Sequence, residues 1–174
     1  MKKMAEVDGL KERRDDKEFV LEELKKNPSM LEFASERLKD DEEVVRVAIL
    51  GDGGALEFAS DRLKDNKEMV LQAVKEVGWV ICYASDRLKS DKEIILNGVK
   101  VNGQVLYYAD TALRDDREVV LEAVKNKGLI LKYASKRLRA DKEIAVEAIK
   151  QDKRAFSFIV PELKQEEEIK KLME

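Results

Sequence analysis

Any chemistry done by this chain would have to come from its carboxylates, its arginines or its one thiol. There is no histidine in the sequence, which removes the commonest general base, proton shuttle and metal ligand. Cys82 is the single cysteine; as a nucleophile it would need a partner base, and no histidine exists to serve. The usual zinc ligand sets cannot be assembled from one cysteine and no histidine, and an intrachain disulfide framework is excluded. Glutamates are plentiful, but Glu18, Glu43, Glu68, Glu93, Glu118 and Glu143 return at one constant spacing. A catalytic acid is normally needed once, so a carboxylate that recurs at every step reads as structural. Residues 50–56, LGDGGAL, have the glycine density of a phosphate loop. They lack the Gly-Lys-Ser/Thr that should follow and sit after a helix pattern instead of a strand, so they read as a turn. No catalytic residue, cofactor or metal is expected, and the chain reads as non-enzymatic.

The cations recur in the same way. Arg37, Arg62, Arg87 and Arg137, with Lys39, Lys64, Lys89, Arg114 and Arg139, could line up as a basic ladder along a nucleic-acid backbone. Acidic residues stand beside nearly every one, and the net charge is −3. Pairing with neighbouring Asp and Glu is therefore the favoured reading and nucleic acid a disfavoured partner. One aromatic also recurs: Phe33, Phe58, Tyr83, Tyr108, Tyr133 and Phe158. These are expected in the core and not as base-stacking platforms.

The elements that must position these residues follow from the period. DREVVLEAVKNKGLILKYASKRLRA, beginning at Asp116, meets variants of itself at Asn66 and Asp91, and the register holds without a gap from Asp16 to Gln165. Self-similarity at a fixed period of this size marks a repeat array. The expectation is an all-α solenoid of six 25-residue helix–turn–helix repeats spanning residues 16–165 of a single domain, with degenerate caps over 1–15 and 166–174. In each unit the first helix carries apolar pairs one turn apart, such as Val119, Val120, Ala123 and Val124, which share a face. Its start is read from the last residue of the preceding unit (Asp15, Asp40, Asp65, Ser90, Asp115) with Glu three positions on, a capping-box pattern; where Ala140 occupies that place, Asp141 substitutes. Gly53, Gly78, Gly103 and Gly128 are expected to end it in the left-handed conformation. A short second helix follows, ending near a leucine, from Leu38 to Leu163. Stacking must supply a shared core that no single unit could make. In the sixth unit Pro161, Ile159, Phe156 and Phe158 fit a C-terminal cap, together with Ile169 and Leu172 facing inward.

Units three to five depart from the rest at the inter-helix turn, where polar residues give way to Val77, Trp79, Cys82, Val101, Tyr107 and Leu129. Neighbouring units place such residues side by side, so these six form the candidate protein-binding edge. An apolar patch of this kind usually marks a contact site, and Trp and Tyr often carry interface energy.

The D-K-E, A-V-K, G and Y-A-S-x-R-L-K elements resemble a tandem helical-repeat family without assigned function (domain of unknown function 4116) over nearly the whole chain. The resemblance implies no activity and no functional residues to carry over. The functional expectation is a protein-binding module. Its sharper form is an inhibitor or effector that sequesters a host or bacterial-defence protein, and self-association is a further use of the same edge. No long apolar run or signal peptide is seen, so no membrane partner is expected. A cytoplasmic location follows, or delivery into a host cell for an effector.

Overall fold

The structure, a computed structural model, describes residues 12–174. The chain has an all-α repeat fold, with no strand among the described residues. It gathers into two compact units, Met1–Ser85 and Asp86–Glu174.

The first unit contains α1 (Lys17–Lys26), α2 (Glu36–Lys39), α3 (Glu42–Gly51), α4 (Asp61–Lys64) and α5 (Lys67–Glu76). Each ten-residue helix is followed by a 3-10 segment: Pro28–Phe33, Gly53–Phe58 and Gly78–Tyr83. The second unit repeats this order with α6 (Asp86–Lys89), α7 (Lys92–Val101), α8 (Arg117–Asn126), α9 (Lys136–Arg139), α10 (Lys142–Gln151) and α11 (Glu167–Met173). Its 3-10 segments are Gly103–Tyr107, Gly128–Tyr133 and Lys153–Ser157. The expected second helix is thus a 3-10 segment and a separate α-turn. These 3-10 segments run five or six residues, longer than most, and place side chains at i and i+3 on one line.

Within each unit the core is laid down by the period. Val44, Val45, Ala48 and Ile49 of α3 are buried, as are Val119, Val120, Ala123 and Val124 of α8. The 3-10 segments of the first five repeats each add a buried apolar pair, such as Leu31 with Met30 or Leu106 with Val105, the sixth adds only Ala155, and each α-turn adds one leucine, such as Leu38 or Leu138. Ala34, Ala59, Ala84, Ala109 and Ala134 are buried where the elements come close. The repeated aromatics are not core: Phe33, Phe58, Tyr83, Tyr108, Tyr133 and Phe158 are all half-buried. They stand at or just past the end of a 3-10 segment, where a ring covers the core edge and keeps one side in solvent.

Two local expectations are corrected. The N-cap of each ten-residue helix is the first residue of its own unit. Asp16 accepts from the Phe19 N–H, Asp41 from Glu43 and Val44, Asn66 from Met69, and Asp116 from Glu118 and Val119. This frees the preceding aspartate for another partner. The glycines, in turn, do not have positive φ. The residue that ends each ten-residue helix leaves the helical region, extended at every step but Val77, and in four repeats (Asn27, Asp52, Asn102, Asp152) its side chain also caps the 3-10 segment. Glycine is required by proximity: a Cβ on Gly103 would stand 2.6 Å from the Ala123 carbonyl oxygen, and one on Gly53 2.9 Å from that of Ala73.

Of the expected N-terminal cap, residues 1–11 lie outside the described residues. The remainder bonds to the first repeat, with the Ser35 N–H donating to the Arg14 carbonyl and the Arg13 guanidinium 4.1 Å from the Phe19 ring centre. At the other end Ile169 of α11 is buried and Leu172 half-buried. No helix among the described residues is long and apolar enough to cross a membrane.

Candidate functional site

Two polar ladders take up most of the recurring charge. In the first, the last aspartate of one repeat clasps the next. The Asp15 carboxylate accepts from Ser35 Oγ and from Arg37 Nε at 2.9 Å, while Arg37 Nη2 donates to the Asp15 carbonyl. Asp40 holds Ser60 and Arg62 in the same way, and Asp115 holds Ser135 and Arg137. Asp65 accepts from Ser85. The serine does two jobs, since its oxygen also caps the following α-turn, as Ser35 does for the Leu38 N–H. Hydrogen bonds from the serine and then the arginine hold Asp15, Asp40 and Asp115 below the usual carboxylate range.

The second ladder runs from the second residue of a repeat to the first and third of the next. Lys17 pairs with Asp41 and Glu43, both at 2.8 Å, and Lys92 with Asp116 and Glu118 at 2.8 and 2.9 Å. Arg117 takes Asp141 and Glu143, and Lys142 takes Glu166 and Glu168. Partial burial acts to raise Asp41, Asp116 and Asp141, but the cation and the backbone N–H groups outweigh it and hold each low. The second repeat carries Glu42 where a cation is expected, and the next cap is Asn66, which avoids a like charge; Glu42 accepts from Arg62 instead.

The clasp is missing at two steps. Ser90 faces Asp110 where Asp and Ser are expected, and Ala140 faces Val160. At both, the α-turn is replaced by a turn and a three-residue 3-10 piece, Leu113–Asp115 and Leu163–Gln165. The backbone bond across these steps is also longer, 3.3 Å for Asp110 N–H to Lys89 and for Val160 N–H to Arg139, against 2.8–3.1 Å at the clasped ones.

What the ladders leave over lies on the outer faces of the 3-10 segments. In the first unit Trp79 is 43 % exposed and meets Tyr83 edge-on at 5.8 Å. Cys82 is half-buried, three residues on in the same segment. Val77 is half-buried and turned toward the preceding repeat, its Cγ2 3.3 Å from where a Cβ on Gly53 would stand. It belongs to the packing between repeats. Trp79 borders a hollow of about 250 Å3 formed with Phe58, Gly54, Asp52, Glu57 and Ser29. In the second unit Tyr107 is 50 % exposed, with Tyr108 at 5.0 Å and Tyr133 at 4.9 Å, both edge-on. Lys132 stands over the Tyr133 ring at 4.7 Å. Val101, at the end of α7, is exposed, and Leu129 is half-buried. Leu50, 68 % exposed near the end of α3, was not singled out by sequence although the other repeats carry Lys25, Lys75, Lys100, Lys125 and Lys150 there, because it lies within the helix and not at the inter-helix turn, where the candidate edge was drawn.

No curated protein and no solved structure matches the chain. One family model does, three times in tandem, over residues 16–64, 66–114 and 116–164, each match spanning two of the 25-residue repeats. The chain therefore belongs to the family described as Domain of unknown function (DUF4116).

Proposed function

We propose that the chain is a non-enzymatic protein-binding module that uses the outer faces of its 3-10 segments. The observation that carries this reading is the exposure of Trp79 and Tyr107 on ring-on-ring supports. At the position of Trp79 the other repeats place Ser29, Gly54, Gln104, Leu129 and Arg154; at that of Tyr107 they place Glu32, Glu57, Cys82, Lys132 and Ser157. The stack needs no large ring at either place. Aromatic side chains held in one orientation lose little freedom on binding, and Trp and Tyr are enriched among the few residues that carry most interface energy. The arginines that a nucleic-acid ladder would use are turned to aspartates instead, as at Arg37, Arg62 and Arg137.

Affinity capture from the source cells with the parent chain, Trp79→Ala and Tyr107→Ala in parallel tests this. Truncating an interface anchor costs about 2 kcal/mol or more, roughly thirtyfold in affinity. The expected result is loss of captured protein with at least one variant while the circular dichroism is unchanged. Retention by both variants, with binding that falls steeply with salt, would overturn the reading in favour of the basic ladder.

A further inference from the structure

We propose that the hollow beside Trp79 seats a cationic side chain, an arginine or lysine from a basic segment of the partner protein. The inference rests on the protein-contact reading and deepens it for the first unit. The hollow exists because the 3-10 segment of the second repeat carries glycine at its second position: Gly54 has no side chain, so the Trp79 indole and the Phe58 ring stand over open space. Two carboxylates, Asp52 and Glu57, border it. Asp52 accepts from the Gly54 N–H at 2.8 Å, which fixes its orientation. Among the described residues no lysine or arginine pairs with either carboxylate, whereas Asp152, which holds the place of Asp52 in the last repeat, is paired with Arg154. The surrounding segments are acidic too. Residues 27–33, 52–58 and 77–83 hold Glu32, Asp52 and Glu57 and no cation. An indole face attracts a cation through its quadrupole, and an adjacent carboxylate supplies the directional hydrogen bond. A neutral donor would gain only an uncharged hydrogen bond, and an acidic group would be repelled.

Trp79 is the single tryptophan, so its emission reports on the hollow in the intact chain. The probe is a capped tetra-arginine peptide, with capped tetra-glutamine as the uncharged control. Expected is a saturable change in Trp79 emission with the arginine peptide alone, weakened by salt. Removing both charges, Asp52→Asn with Glu57→Gln, weakens it by about tenfold; Asn27 and Asn102 fill the same capping role elsewhere, so the fold tolerates the first change. Gly54→Leu, which fills the hollow, abolishes it, and Glu167→Gln, which removes a charge from α11, leaves it unchanged. The proposal is overturned if the arginine peptide leaves Trp79 emission unaltered, if binding survives Gly54→Leu, or if the emission responds only to dilution of the chain itself, which would make a second copy the occupant. A null result with partner capture still dependent on Trp79 removes the cationic occupant and leaves the protein-contact reading standing.

Discussion

Gly103→Ala separates two explanations of the repeated glycine. Gly103 is buried at the start of its 3-10 segment, and its N–H donates to Asn126 Oδ1 at 2.8 Å. Its φ is not positive, so on backbone grounds alanine fits, and shrinking the freedom of the unfolded chain would add about 0.4–1 kcal/mol of stability. The space argues the other way. The new methyl would stand 2.6 Å from the Ala123 carbonyl oxygen, 3.1 Å from Lys127 Cβ and 3.3 Å from Lys127 N. Those neighbours are backbone or anchored to it, so the repeats must part by most of 1 Å, enough to forfeit a quarter to a half of the local dispersion energy. Overpacking of this kind costs about 1–3 kcal/mol. Less the entropic gain, the net loss is about 1–2 kcal/mol, or a fall in Tm of roughly 2–8 °C for a chain of this size. Thermal and urea unfolding measure it. Gly54→Ala is the control, since its Cβ meets only the end of the Asp52 side chain, at 3.1 Å, which a shift of a few tenths of an ångström relieves with the cap kept. Gly103→Asn sharpens the test: asparagine tolerates the left-handed region, so a conformational requirement would make it milder than alanine, and a steric one harsher. A Gly103→Ala chain as stable as the parent, or an asparagine variant more stable than the alanine one, would refute the close-approach account.

Asp116→Ala removes the side chain that caps α8 through the Glu118 and Val119 N–H groups, and should cost about 1 kcal/mol, read as a shifted urea midpoint. Stability should fall as pH drops through the ordinary carboxylate range near ~4, because Asp41, Asp116 and Asp141 are held low in the folded state and favour it only while ionised. Lys17, Lys92 and Lys142 are raised by their carboxylate partners, so their contribution is complete below the ordinary lysine range and fades above about pH 10.5. With no histidine to titrate between, Tm should be flat from about pH 5 to 7, below the ordinary α-amino and thiol ranges; a step near pH 6–7 would contradict this.

The period carried most of the fold in plain sight, because four apolar positions per helix and one leucine per α-turn must return together for neighbours to share a core. The pairing of Arg37, Arg62 and Arg137 was legible from the acidic residues around them. Cap placement was not. Doublets such as Asp15-Asp16 and Asp40-Asp41 offer two chemically equal candidates, and only the geometry shows that one caps while the other reaches to the next repeat. Ring burial escaped for a similar reason: a large apolar side chain at a regular position looks alike whether it sits inside the stack or roofs its edge. The exposure of Trp79 and Tyr107 was legible because they broke the pattern. Val77 broke it as well, yet serves packing against Gly53, since sequence does not say which way an extended residue turns.

The bare steps at Ser90–Asp110 and Ala140–Val160 fall in the middle of the second and third family modules. The joints between modules, Asp65 to Ser85 and Asp115 to Ser135, are fastened. In these two modules the stretch that recurs in sequence is therefore not the stretch that is tied together, while in the first Asp40 still bridges the middle through Ser60 and Arg62. A chain heated toward opening should yield inside the second and third modules before it parts at their borders, and the pieces that come away would straddle two family modules.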